Sequence, residues 1–102
     1  SNILFNNIIQ KGKKSSNMFF TVFDMQSENK KPLVGISVPK KCGNAVVRNK
    51  LKRQIRQMVD ENKLLFKNNR NYIIIVKEKC LTAPYVQKSV CLKTLIGGTN
   101  EE

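Results

Sequence analysis

The stretch from Val34 to Arg56, VGISVPKKCGNAVVRNKLKRQIR, constrains this chain more than any other. A short apolar run enters a Lys-Lys turn. A glycine and an asparagine follow, and then a helix-forming segment dense in Arg and Lys. From Lys30 to Val59 there are nine basic residues (Lys30, Lys31, Lys40, Lys41, Arg48, Lys50, Lys52, Arg53, Arg56) and no acidic one. Asn44 is a good helix N-cap, and Gly43 before it frees the backbone. The helix is predicted from Ala45 to about Asn62. Val47, Leu51, Ile55, Met58 and Val59 recur at helical spacing and form its buried stripe. Arg48, Lys52 and Arg56 make a second stripe at steps of four, with Asn49 and Arg53 beside it. Like charges at that spacing repel by roughly 0.2–0.5 kcal/mol per pair. Asp60 and Glu61 come only at the far end, where negative charge suits the helix dipole poorly. A face made only for solubility would interleave acids; this one is arranged for a polyanion.

The whole chain supports that partner class. Its 102 residues carry a formal charge of +12, extreme for one modest domain. One domain is expected over residues 1–98, with a frayed tail over 99–102. Cys42, Cys80 and Cys91 form no CxxC pair, and an odd count argues against a disulfide framework. They read as free thiols of a reducing cytosol. Histidine is absent, which removes the usual zinc arrangements and histidine acid–base chemistry. The longest apolar run, Ile73 to Val76, is far too short to span a bilayer. Ser1 to Gln10 lacks the basic start and continuous apolar region of a signal peptide. Ser1 stands without an initiator methionine, so further residues are expected before it. The expectation is a soluble, cytoplasmic protein with no membrane partner.

Taken in order, Asn2 to Lys11 suits a helix with Phe5, Ile8 and Ile9 on one face and Gly12 as its stop. Lys13 to Asn17 reads as a basic, serine-containing loop. Met18 to Met25 reads as a strand, with Met18, Phe20 and Val22 on one face and Phe19, Thr21 and Phe23 on the other. Aromatics on both faces leave two readings open: the first helix covers the second face, or bases stack in a groove there. Gln26 to Pro32 reads as a hairpin loop. Leu33 to Val38 is a strand with Val34, Ile36 and Val38 inward, and Gly35 and Ser37 keep its other face small. Pro39 ends regular pairing. Tyr72 to Val76 fits a strand buried on both faces. A last helix is predicted with Thr82 as cap, Pro84 in its first turn, and Gly97-Gly98 as its end. The predicted order is α-β-β-α-β-α, an α+β fold in the form of a two-layer α/β sandwich. A strand–helix–strand unit from Leu33 to Val76 places two strands in parallel.

The residues hold no catalytic constellation. The carboxylates are scattered, Asp60 and Glu61 do not face each other on a helix, and GNAVVRNK lacks the P-loop spacing. No catalytic residue and no metal ligand is assigned. Arg grips phosphates bidentately and Lys offers a point charge. Asn49 can read a base edge or help hold a hydrated metal against a phosphate. The free N–H groups of Gly43 to Ala45 add a positive dipole end. No helix-turn-helix, zinc-finger or zipper pattern surrounds the helix, which argues against DNA. A basic helix beside an aromatic-bearing sheet suits structured RNA together with a single strand.

At these residues the chain resembles the protein subunit of bacterial ribonuclease P. That family shows a strand, a Lys-Lys turn, Gly-Asn-Ala, and a helix opening on an Arg-Asn-Arg motif followed by Lys-Arg and a further Arg. Phe5, Gly12, the strand to Phe23 and the YIIIV strand agree in order and spacing, so the resemblance covers essentially the whole chain. It implies an α/β sandwich with an unusual left-handed β-α-β crossover. It implies a non-catalytic subunit of an endoribonuclease that promotes tRNA 5′-end maturation. The partners would be ribonuclease P RNA, which cleaves with Mg²⁺ bound mainly by RNA, and precursor tRNA. Carried over by position, Lys40, Lys41, Arg48, Asn49, Lys50, Lys52, Arg53 and Arg56 would bind RNA. Phe5, Ile9, Thr21, Phe23 and Ser37 would line a cleft for the precursor's 5′ leader. The chain departs from the family in four places. Lys50 replaces an arginine, Ile9 stands where a second aromatic is usual, Phe23 where a tyrosine is frequent, and Pro39 lies in the turn. The rival reading is a general RNA-binding or ribosome-associated protein.

Overall fold

The apolar run Tyr72–Val76 takes the middle of a four-stranded sheet, as a strand apolar on both faces must. The computed structural model describes residues 2–100. The strands are β1 (Lys13–Ser16), β2 (Phe20–Gln26), β3 (Leu33–Ser37) and β4 (Arg70–Val76), in spatial order β1-β2-β4-β3. β1 and β4 both run antiparallel to β2, and β3 pairs with β4 in parallel. The helices are α1 (Asn2–Lys11), α2 (Ala45–Glu61) and α3 (Tyr85–Asn100). The element order is therefore α-β-β-β-α-β-α, one strand more than predicted.

The main core lies on one face of the sheet, under α2 and α3. Phe20 and Val22 of β2, Ile36 of β3, and Tyr72, Ile74 and Val76 of β4 meet Leu51, Ile55 and Met58 of α2 and Leu92 and Ile96 of α3. Of the predicted stripe of α2, Leu51, Ile55 and Met58 are buried in this core and Val59 packs against it, whereas Val47 is half-buried outside it. The opposite face is covered by α1, whose Ile8 is buried, as is Ile73 beneath it. A side chain at Gly12 would place its Cβ 2.9 Å from the Asp24 carbonyl of β2 and 2.3 Å from the Ile8 carbonyl. Only glycine lets the end of α1 sit this close to the sheet.

Five expectations are corrected. Lys13–Ser16 is a strand, not a loop; an edge strand with no apolar residue carries no periodic signal. Phe19 joins the main core instead of the second face, because the chain turns before β2: the Asn17 Oδ1 accepts from the backbone N–H of both Phe19 and Phe20, each at 2.9 Å. Gln26 to Pro32 is not a hairpin loop, since β4 lies between β2 and β3. Thr82 does not cap α3; it closes the short turn Glu78–Leu81, and the Pro84 carbonyl takes the helix bond from the Lys88 N–H at 3.2 Å. Gly97-Gly98 does not end α3, which runs on to Asn100, anchored just before by buried Ile96. Glycine weakens a helix by about 1 kcal/mol without forbidding it. Glu101 and Glu102, in the predicted tail, lie outside the described residues.

Candidate nucleic-acid interface

The basic helix is fixed at its start by the turn before it. Lys40–Cys42 form a single tight turn, with the Cys42 N–H donating to the Pro39 carbonyl at 3.0 Å. Pro39 therefore starts this turn, two residues past the end of β3 at Ser37. Cys42 is 1% exposed and anchors the turn in the core, its thiol directed at the Val76 carbonyl 3.8 Å away. Burial, assisted by nearby Glu78, pushes that thiol's pKa up, so it is a packing group more than a nucleophile. Gly43 takes φ +135°, a region that favours glycine. Asn44 then caps the helix, its Oδ1 accepting from the Val47 N–H at 3.0 Å. With Cys42 held inward, Lys40 and Lys41 are left exposed beside the helix N-terminus.

Along α2, Asn49, Lys50, Lys52, Arg53 and Arg56 are exposed and Arg48 is half-buried. None of these cations has a carboxylate partner among the described residues. At about 100° per residue, Arg48, Lys52, Arg56, Asn49 and Arg53 follow one another around the outer face. Lys50 lies roughly 60° beyond Arg53, on the flank turned toward α3. Seven of the eight predicted RNA-binding residues therefore share one continuous surface, and Lys50 stands at its margin.

The second face of the sheet brings together a different set. The cross-strand rows are Phe23–Ile73–Gly35 and Thr21–Ile75–Ser37. Ile73, under α1, is 2% exposed; Ile75 in the next row is only half-buried. α1 thus covers one row and leaves the other accessible. Phe5, with Leu4 and Ile8, walls a pocket of about 210 Å³ against Leu33, Val34, Gly35 and Ile73. Ile9, Thr21, Phe23 and Ser37 do not line that pocket, although Phe23 shares a row with Ile73 and Gly35. The helix covers part of this face, and a groove remains beside it.

Three residues of this face were missed in the sequence. Lys14, opposite Phe23 in the β1–β2 register, holds its Nζ 6.0 Å from the ring centroid. Ser16 lies within 3.2 Å of the Thr21 hydroxyl. Lys77, just past β4, donates to the Ser16 Oγ at 2.8 Å and to the Asn17 carbonyl at 2.6 Å. Hydroxyls and Lys77 therefore collect in the row that α1 leaves open, with Lys14 and the half-buried Phe23 ring in the row beside it. Ser37 and Lys77 also lead out of β3 and β4 on the side where the Lys40–Cys42 turn begins, so the groove and the basic helix adjoin. The missing signal was β1; once Lys13–Ser16 is a strand, alternation puts Lys14 and Ser16 on this face. Among the described residues no three His, Cys, Asp or Glu side chains converge as a metal site, and no helix is long and apolar enough to cross a membrane.

Comparisons with known proteins identify the family and the fold. A sequence model of the family Ribonuclease P matches residues 1–99. The ribonuclease P protein component of Bacillus cereus strain Q1 is 39% identical over 89 residues, covering 84% of this chain and 77% of that one. Among solved structures, the Staphylococcus aureus RNase P protein is 32% identical with a TM-score of 0.85, over 94% of this chain and 88% of that one. The Thermotoga maritima RNase P protein is 27% identical with a TM-score of 0.84, over 91% and 88% of the two chains.

Proposed function

The chain belongs to the ribonuclease P protein family, and from that premise we propose how its two surfaces divide the work. It is the protein subunit of the RNA-based endoribonuclease that matures tRNA 5′ ends, with ribonuclease P RNA as its partner. Lys40, Lys41, Arg48, Asn49, Lys50, Lys52, Arg53 and Arg56 bind the RNA subunit through its phosphates. The groove of Phe5, Ile9, Thr21, Phe23 and Ser37, extended by Lys14, Ser16 and Lys77, receives the single-stranded 5′ leader of precursor tRNA.

The observation that carries this reading is the half-open sheet face. Phe23 and Ile75 offer apolar surface to bases, Ser16, Thr21 and Ser37 offer hydroxyls, and Lys14 and Lys77 offer charge to the backbone. The protein's share of catalysis is then positioning: two anchored RNAs meet with fewer freedoms to lose. The excess positive charge also screens phosphate repulsion between them. Mg²⁺ wants several hard oxygen ligands, and the described residues do not gather them. In this reading the RNA, whose phosphates supply such oxygens, holds the metal. The cytoplasm, where the RNA partner works, is the proposed location.

The test is precursor tRNA cleavage at low Mg²⁺ by the cognate ribonuclease P RNA, with and without this protein. Cleavage at the mature 5′ end that depends on protein is the expected result. Tight RNA binding by folded protein with no stimulation would return the general RNA-binding reading.

A further inference from the structure

We propose that the crevice between α2 and α3 is a phosphate-binding subsite built on the buried ammonium of Lys88 and rimmed by Lys50. Lys88 is 3% exposed. Lysine is almost never buried to that degree unless an anion pairs with it. Here the partners are neutral: Nζ donates to the Gln54 Oε1 at 2.9 Å and to the Cys80 carbonyl at 3.0 Å. The third N–H has no partner among the described residues. Among the described residues no carboxylate pairs with it either. The Glu61 Oε1 accepts from the Tyr85 hydroxyl at 2.9 Å and its Oε2 faces the Gln57 amide at 3.4 Å. Asp60 and Glu78 are exposed and make no ion pair with Lys88.

A cavity of about 250 Å³ opens beside this ammonium, lined by Lys88, Lys50, Gln54, Leu51, Cys80 and Leu81. Its walls hold two cations and no acid. A tie between α2 and α3 alone would need only a neutral donor and would not require desolvating a charge. An ammonium screened from bulk water, pre-positioned by two hydrogen bonds, attracts an anion more strongly than an exposed one does. Lys50, exposed on a flexible stem, can close over the same anion. Arg53, one step of three further along α2, connects the crevice to the outer basic face. A phosphate is the anion that geometry supplies. It is either a phosphodiester of the bound RNA, which rests on the RNA-binding reading above, or a free phosphate.

The experiment has two arms. In the first, the unmodified protein is titrated with inorganic phosphate while the Lys88 ammonium is followed by NMR, with chloride at matched ionic strength as control. In the second, the salt dependence of binding to ribonuclease P RNA is compared for wild type and Lys88→Met. A saturable shift at Lys88, together with a salt slope reduced by about 0.7 to 0.9, assigns the subsite to an RNA phosphodiester. A saturable shift with an unchanged slope assigns it to free phosphate. No phosphate-specific shift and an unchanged slope overturn the proposal and leave Lys88 a tie between helices. If Lys88→Met does not fold, the titration decides alone. Arg53→Ala with undiminished RNA binding would remove the RNA reading while leaving the phosphate titration of the free protein intact.

Discussion

The guanidinium of Arg48 reaches back over the first turn of its own helix and donates from Nε to the Gly43 carbonyl at 3.1 Å. The Arg48 head is thereby held beside the Lys40–Cys42 turn, with both Nη groups left to meet a phosphate. An arginine pre-placed in this way loses little freedom on binding. Arg48→Ala is expected to weaken ribonuclease P RNA binding about 10-fold or more, the worth of a charge-assisted bond of roughly 1.5–3 kcal/mol. Arg48→Lys keeps the charge and loses the fork, so its loss should be intermediate. Filter binding at fixed salt measures both, and wild-type affinity for Arg48→Ala would remove Arg48 from the interface.

Phe5 belongs to the other surface, and its variants should show it. Stacking of a base on an aromatic ring is worth about 1–3 kcal/mol. Phe5→Ala is therefore expected to weaken holoenzyme affinity for precursor tRNA by roughly 5-fold to 150-fold and to spare mature tRNA. Ile9→Phe, which adds an aromatic one turn later, should strengthen precursor binding. Parallel losses on precursor and mature tRNA for Phe5→Ala would mean that the groove does not hold the leader.

How far the sequence discloses these surfaces depends on how each residue reports itself. The basic helix was legible: Asn44 caps it, Leu51, Ile55, Met58 and Val59 of its stripe pack, and among the described residues its outer Arg and Lys side chains pair with no acid. Tyr72 to Val76 announced a central strand because both its faces are apolar. β1 was silent, since Lys13, Lys14, Ser15 and Ser16 include no apolar residue whose alternation would mark a strand. Losing it also hid Lys14 and Ser16 from the groove. Phe19 was misplaced because Asn17 bends the chain through a side-chain bond that period-2 counting does not see. Lys88 was invisible for a different reason. It sits on α3 among ordinary surface-type residues, and only the approach of Gln54 and the Cys80 carbonyl buries it.

Asp24 and Arg70 hold the sheet end through a pair that charge counting would pass over. Asp24 is 1% exposed on the core face of β2, and the Arg70 Nε donates to its Oδ2 at 2.9 Å. The other carboxylate oxygen, Oδ1, has no hydrogen-bond partner among the described residues, so Arg70 carries most of the compensation. Removing one member of a buried pair leaves a stranded charge and costs about 3–5 kcal/mol. Arg70→Met is expected to lose that much in urea unfolding. Adding Asp24→Asn to it should recover part of the loss, since the stranded charge is then gone. A midpoint unchanged by Arg70→Met would show that the pair is not structural.

The Cys80 thiol gives the fold a pH signature. It is fully buried, and its Sγ–H donates to the Phe19 carbonyl at 3.3 Å. Burial pushes its pKa from an ordinary 9.0 up to about 11. The folded chain therefore keeps this proton while the unfolded chain releases it. The resulting stability is fully present below about pH 9 and is lost as pH rises through about 11, an amount of roughly 2–3 kcal/mol. Tyr72 and Tyr85 are shifted in the same direction, Tyr85 to about 12, so the whole protein should weaken further in strong base. The comparison with Cys80→Ala isolates the thiol. Urea midpoints measured from pH 8 to 11 should fall more steeply for wild type than for Cys80→Ala, whose constant packing loss shifts the curve without changing its slope. Parallel curves would mean that Cys80 ionises as easily in the fold as out of it. Iodoacetamide offers an independent check: at neutral pH half-buried Cys91 should react first. Cys42 and Cys80 should react only as fast as the chain opens, because the reagent needs an accessible thiolate.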